Sequence, residues 1–407
     1  FIFLGLLFLE SDQFVLQSAI GRIRPNLILI LLIGLYIPLQ TIFSKKETTL
    51  KMDKVGFYLI LYVSVNIVSL FFADFANPLR IIYGLKVLFL LFCWFIVYFF
   101  IKNQFSNMGK GLQFLKYFFY FGFIQTLIGT SQMIGSFIRP TGTISNGDAD
   151  YYGILISAYF TSMIILKILK VQVLGRRLDF YFLLLLSINL FYSFVRSGWI
   201  GTIGGLLFFV LIMFINAIFK TRTDSKLLGR FFLSLILIVF LFSTLFLSST
   251  NLQDYAVSRI DLQDDSMAGI TNNIRLIMML ESWENAKRSI IIGNGPSAFS
   301  LQGLLLDIPY RAENAFDPSI ITTLLNDTGL IGLITFFIFI FKICSLSIKT
   351  FNVKSSNIMS NYSIAFTSTM IGLIVSYIPS TALWIPYSWV FFSIPSSAAY
   401  LASHKAQ

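Results

Sequence analysis

An all-α polytopic membrane protein is the fold class the sequence predicts, and three observations predict it. Hydrophobic residues make up 56% of the chain, charged residues 12%, and Phe alone 45 of 407 positions, which is more apolar surface than one water-soluble core of this length can bury. The apolar residues come in runs near the 17 to 25 residues that cross hydrocarbon as a helix, not in the roughly ten-residue alternating segments of a barrel. Alternating the connections between those runs separates the charges cleanly by side, as cytoplasmic enrichment in Lys and Arg requires.

In chain order the first run, 1–9, is too short to span. The chain opens on Phe1, so this element is expected to be truncated, with residues preceding it or, as the weaker reading, a signal peptide removed. Further spans are expected near 26–43, 55–73, 79–101, 113–137, 151–169, 179–195, 199–219, 231–248, 320–342, 361–378 and 384–402. That gives about 12 transmembrane helices. Three units follow: an N-terminal bundle over 1–248, an extracytoplasmic cap loop with helices over 249–319, and a C-terminal bundle over 320–407. A 71-residue connection is too long for a structureless tether inside a compact bundle.

One side of the membrane receives Lys45, Lys46, Lys51, Lys54, Lys102, Lys110, Lys116, Lys167, Lys170, Arg176, Arg177, Lys220, Arg222, Lys226, Arg230, Lys342, Lys349, Lys354 and Lys405, and is read as cytoplasmic. The net charge of +11 is thus topology and contact with anionic membrane lipids, and no basic patch interleaved with aromatics points to nucleic acid. The other side holds the carboxylates Glu10, Asp12, Asp74, Asp148, Asp150 and most of those from Asp254 to Asp317. Its cations are arginines: Arg22, Arg24, Arg80, Arg139, Arg196, Arg259, Arg275, Arg288 and Arg311, with Lys287 the single lysine. A guanidinium is a rigid fork that matches phosphate or carboxylate oxygens two at a time. Any one of these arginines can be the ion-pair partner of a neighbouring carboxylate; as a set they favour phosphate. Lys86, about two turns inside a span, either faces a polar cavity or snorkels outward.

In the cap, "TNNIRLIMMLESWENAKR" is helical in pattern. Thr271 or Asn272 can cap it, Ile274, Ile277, Met278 and Leu280 give an apolar side, and Glu284 and Arg288 are spaced to pair. Arg275, one turn in, and Trp283, two turns on near the same side, suit a phosphosugar or simply pack as helix residues. "SIIIGNGPSAF" imitates a dinucleotide fingerprint at Gly293, Gly295 and Ala298, but Pro296 and the absence of a second strand and crossover fit a tight turn instead. "DLQDDSMAGITNN" lacks the spacing of a calcium loop. The sole histidine is His404, so neither a Ser/His nucleophile nor a His-bearing zinc site is available outside; no metal and no cofactor are expected. Cys93 and Cys344 fall within or beside spans and make no disulfide framework, and Gly201 and Gly205 read as a close helix-packing pair.

Four motifs in order, "RPTGTISNGDADYYG" from Arg139, "SFVRSGWIG" from Ser193, "NNIRLIMMLESW" followed by "IIGNGPSAF" from Asn272 to Phe299, and "FDPSIITTLLNDTGLIGL" from Phe316, resemble the O-antigen ligase and Wzy-type polymerase superfamily over about half the chain. The resemblance implies a GT-C-like helical bundle in the bacterial inner membrane, with its site on the periplasmic or exterior face. There such enzymes take glycans from undecaprenyl pyrophosphate, for O-antigen of lipopolysaccharide or for capsule. A chain-length regulator protein is a further partner it implies. The family's arginines map onto Arg139, Arg196 and Arg275. Ligases carry a His-Asn pair about nine residues before an acidic-x-Gly; counting back from Asp327 gives Pro318 and Ser319, which argues for a polymerase. The expected acceptor base is Asp317, or else Glu313, with Arg311 joining the other three arginines on the pyrophosphate and Trp283 and Tyr310 on sugar. Asp317 also fits a helix N-terminal acid before Pro318, and Asp327, nearly three turns on, reads as structural. A ligase moving finished polymer, or a lipid-linked oligosaccharide flippase, are the alternatives; the chain shows no pair of matching halves of the kind transporters carry.

Overall fold

The computed structural model describes residues 16–18, 21–23, 28–34, 53–73, 78–136, 140–142, 149–219, 229, 267–298, 319–351, 357–379, 383 and 385–404. A hairpin of two three-residue strands, β1 (Leu16–Ser18) and β2 (Gly21–Ile23), departs from the all-α expectation. It falls between the first two expected spans, with Leu16 opposite Ile23 and Ser18 opposite Gly21.

Ten long helices follow among the described residues. They are α1 (Lys54–Leu70), α2 (Pro78–Gln104), α3 (Met108–Ser136), α4 (Ala149–Ile168), α5 (Arg176–Ser193), α6 (Arg196–Phe219), α7 (Met267–Ala286), α8 (Ile320–Thr350), α9 (Ile358–Ser376) and α10 (Pro386–His404). Five stretches among the described residues are long and apolar enough to cross a membrane: Ile81–Gln104, Asp150–Ile168, Arg196–Asn216, Ile320–Thr350 and Ile358–Ser376. The chain is a multi-pass membrane protein. α1, α3, α5 and α10 are helices where spans were expected but are shorter or carry more polar residues. The expected elements at 1–9 and 231–248, and most of 26–43, lie outside the described residues.

The core is made by α4, α6 and α9 in mutual contact, with α5 against α4, and by α8 against α1 and α10. Small residues set the closest approach. A Cβ on Gly201 would strike Ser376 and the Gly372 carbonyl, and one on Gly205 would lie 2.8 Å from the Ser368 carbonyl. Side-chain hydroxyls in α9 turn back onto their own helix, Ser368 onto Ile364 O and Thr369 onto Ala365 O, so they enter the apolar interior without an unmet donor. Aromatic rings fill the wider spaces: Trp94 stacks on Trp389 at 4.5 Å, and Phe118 contacts Tyr159, Phe366 and Phe391.

The end of the bundle expected to face the cytoplasm, the inner end as against the outer, holds a part-buried ion pair. Asp53 caps α1 through the Gly56 amide at 2.6 Å, accepts from the Tyr98 hydroxyl, and pairs with Lys102 Nζ at 3.1 Å. Lys102 also lies over the rings of Phe99 and Tyr400. Lys86, half-buried in α2, has its Nζ over the Tyr83 ring at 5.9 Å.

α8 is broken. Gly329 has φ 64 and ψ −164 inside an otherwise helical stretch, a conformation open to glycine and strained for any other residue. The break is also required by length. At the inner end Ser360 Oγ donates to Thr350 O at 2.8 Å, and at the outer end Ile320 N donates to Tyr377 O at 2.9 Å. From 360 to 377 a helix rises about 25 Å, whereas 320 to 350 unbroken would rise about 45 Å. The stretch 330–350 alone accounts for about 30 Å, so 320–328 runs across the outer end of the bundle.

Candidate active site

The outer ends of α4, α6, α8 and α10 are helix N-termini, and each element is fixed there by polar contacts. Gln132 of α3 accepts from the amides of Thr141 and Gly142 at 2.9 Å each and donates to Gly142 O at 3.1 Å. One side chain thereby pins the turn that follows Arg139. Beneath it Tyr152 donates to Asn189 Oδ1 at 2.7 Å, and Asn189 donates to Thr130 Oγ1 at 2.9 Å, joining α3, α4 and α5. A buried network with its donors met in this way sets one arrangement of those three ends. The first turn of α6 lies directly against the second turn of α4, since a Cβ on Gly198 would sit 2.9 Å from the Gly153 carbonyl. Tyr387, at the start of α10, donates to Tyr151 O at 3.1 Å.

Onto this surface comes α7. It begins at Met267, a turn earlier than the expected cap at Thr271 or Asn272, and passes at Lys287–Ser289 into a 3₁₀ turn. In that tighter turn residues three apart come level, so Glu284 pairs with Lys287 at 2.6 Å instead of the expected Arg288. Arg275 Nη2 donates to Asp150 Oδ2 at 3.0 Å, with the two side chains 37% and 27% exposed. The pair connects the cap helix to the first turn of α4.

The segment after α7 docks into the break in α8. Asn294 N donates to Asn326 O at 2.8 Å and Gly295 N to Asp327 O at 3.1 Å; in return Leu330 N and Ile331 N donate to Ile290 O and Ile291 O at 2.8 and 3.2 Å. Ser69 Oγ at the end of α1 also donates to Asp327 O, and Asp327 Oδ1 accepts from Ala298 N at 3.0 Å. Side-chain amides finish the contact: Asn285 Nδ2 reaches Asn326 Oδ1 at 2.6 Å and Asn294 Nδ2 the same oxygen at 3.1 Å. The glycines are therefore a turn, as expected, with Gly293 at φ 84 and Gly295 at φ 93. A Cβ on Gly293 would meet Asp327 O at 2.5 Å. Asp327 is buried and bound up in this hook, in keeping with a structural role.

Of the expected site residues, Arg196 and Arg275 fall at the outer end. Arg196 opens α6, half-buried, two residues before Gly198, which packs against Gly153 of α4. Trp283 is 42% exposed. Eight residues from Arg275, it stands about 80° round the helix from it, so the two do not share one face. Asp317, Glu313, Arg139, Arg311 and Tyr310 lie outside the described residues. Asp150, Gln132 and the Asn285, Asn294 and Asn326 set were not singled out from sequence as site residues. Their one signal is that amides and carboxylates at the ends of apolar spans must find partners.

Residues 181–337 match the model of the family described as O-antigen ligase. The match runs from α5 through the cap to the second half of α8, and takes in Arg196, Arg275 and the hook, while Asp150 and Gln132 precede it. No curated protein matches the chain. Over residues 181–337 the chain is thus similar to the O-antigen ligase family, in agreement with the resemblance seen in its motifs.

Proposed function

We propose that the protein is a Wzy-type polymerase, a GT-C-like bundle of about twelve spans that joins undecaprenyl-pyrophosphate-linked oligosaccharide repeat units on the outer face of the bacterial inner membrane. The product is O-antigen or capsular polysaccharide. The observation that carries this reading is the Arg275–Asp150 contact, 3.0 Å between two partly exposed groups, with Asp150 on the helix whose Gly153 packs against Gly198 of the Arg196-bearing α6. A water-accessible ion pair contributes little stability, and its guanidinium can exchange a carboxylate for a phosphate of the same geometry.

In the reaction an acceptor sugar hydroxyl attacks the anomeric carbon of the lipid-borne donor. The bond from that carbon to the pyrophosphate oxygen breaks, and its electron pair leaves with the undecaprenyl pyrophosphate. The hydroxyl proton goes to a carboxylate, for which Asp317 is the first choice and Glu313 the second. Arg275, Arg196, Arg139 and Arg311 hold the departing pyrophosphate, whose charge they meet without a proton or a metal. Tyr310 lies in the same loop, suited to a sugar face. Pro318 and Ser319 stand where the ligases have His and Asn, and Ser319 instead caps α8 through the Ile321 amide at 3.3 Å; this favours polymerase over ligase.

The test is incubation of the purified protein with a lipid-pyrophosphate-linked repeat unit in the presence of chelator. A ladder of products is expected. Transfer of finished polymer to a second acceptor without laddering would make it a ligase, and movement of the lipid between leaflets without new glycosidic bonds a transporter.

A further inference from the structure

α7 presents its polar side to the protein and its apolar side outward. Ser282, Asn285 and Ala286 are buried, while Leu276, Ile277 and Leu280 are 58, 51 and 58% exposed and Trp283 42%. At 100° per residue the four exposed positions fall within one arc of about 120°, and the three buried ones within about 100° on the opposite side. A water-facing cap helix would have the reverse arrangement.

The outward stripe continues into the membrane. Ile290 and Ile291, also exposed, lend their carbonyls to the amides of Leu330 and Ile331. Leu330, Ile331 and Ile334 are themselves exposed on α8, a helix long and apolar enough to cross the bilayer. The rise along α8 and α9 puts Gly329 at the outer edge of the span, level with the end of α1 where Ser69 reaches Asp327. α7 and the hook therefore sit at the depth of the lipid headgroups. The Glu284–Lys287 pair, 68 and 50% exposed, lies at the C-terminal end of the stripe, with Glu284 inside its arc at about 80° from Leu276, where both side chains can reach up to the headgroups.

From this continuity we infer that α7 is an interfacial helix lying in the plane of the outer leaflet, with Leu276, Ile277, Leu280 and Trp283 among acyl chains. Its occupant is lipid, not a partner protein. Trp283 then belongs to the interfacial aromatic belt and not to a sugar subsite. The consequence for the opposite side of the helix is that Arg275 is held at headgroup depth, where a lipid-borne phosphate lies. The placement of α7 stands apart from the polymerase reading and can hold whatever the reaction is.

The experiment attaches a nitroxide to Leu280→Cys, Leu276→Cys, Lys287→Cys and Ile334→Cys in the full chain, reconstituted in phosphatidylethanolamine and phosphatidylglycerol vesicles. Collision with oxygen is compared with collision with a water-soluble nickel chelate. Cys93 and Cys344 are buried, so the label reports the introduced position. The Leu280 and Leu276 labels should behave as the Ile334 label does, reached by oxygen in preference to the chelate, with the ratio reversed for Lys287. If the Leu280 and Leu276 labels follow Lys287, the cap stands in water and the inference fails. If neither reagent reaches them, protein covers the stripe and the inference fails equally.

Discussion

Two ion pairs tie separate elements together at opposite ends of the bundle, and they differ in burial as much as in chemistry. At the inner end Asp53 and Lys102 are 9 and 14% exposed, and the carboxylate also caps a helix and accepts from a tyrosine. At the outer end Asp150 and Arg275 are 27 and 37% exposed. The inner carboxylate is also met by the Gly56 amide and the Tyr98 hydroxyl, so its role is to hold α1 and α2 in place. The outer pair keeps access to water and uses the cation suited to forked recognition of oxyanions. The same contact distance, 3.1 against 3.0 Å, thus marks a clamp at one place and the proposed binding group at another.

The largest effect is expected on the inner pair. Asp53→Asn retains the helix cap but leaves Lys102 charged and nearly enclosed, which should lower stability by about 3 to 5 kcal/mol. Thermal unfolding of the detergent-purified protein reads it, and turnover per folded molecule should be unchanged. A variant as stable as the parent would mean that Lys102 relaxes into the headgroups and the clamp is dispensable.

At the outer end, Asp317→Asn removes the proposed base while keeping its size. Turnover should fall by about 10²-fold or more with donor binding kept; near-normal turnover would pass the role to Glu313 or to no carboxylate.

Next in size is Arg275→Lys, which keeps the charge and loses the fork. Transfer should slow by roughly 10 to 100-fold, the equivalent of one charge-assisted hydrogen bond, with the same direction for Arg139 and Arg196. Lys287→Ala, on an exposed side chain paired only three residues away along its own helix, serves as the control and should change nothing measurable.

The smallest effect is expected for Asp150→Asn. An exposed pair contributes about 0.2 to 1 kcal/mol, so the melting temperature should scarcely move. A loss comparable to that of Asp53→Asn would erase the distinction between the two ends.

Much of the bundle was legible from sequence because a span announces itself locally. α2, α4, α6 and α9 fall within a few residues of the apolar runs, and the Gly201 and Gly205 spacing foretold a close helix contact that Gly372 completes. The break in α8 was not legible. Residues 320–342 read as one span, whereas Gly329 takes a conformation that only the 290–298 hook makes tolerable, and that hook lies more than thirty residues away in the chain. The same reason hid the partner of Arg275, since Asp150 is 125 positions distant. The apolar side of α7 was visible as a period, but periodicity carries no sign: it could not say that the stripe points out to lipid while serine and asparagine point in. Conversely, Asp327 beside Gly329 was read as structural from spacing alone, and its hydrogen bonds to Ala298 and Gly295 bear that out.

The contrast between the two ends is tested most directly by measuring product laddering and thermal unfolding side by side for Arg275→Lys and Asp53→Asn. A double dissociation is predicted: Arg275→Lys slows polymer formation by roughly 10 to 100-fold at unchanged melting temperature, and Asp53→Asn melts earlier while its folded fraction polymerises normally. A fully active, equally stable Arg275→Lys protein would contradict the account, because the outer arginine would then be an ion-pair partner of Asp150 and nothing more.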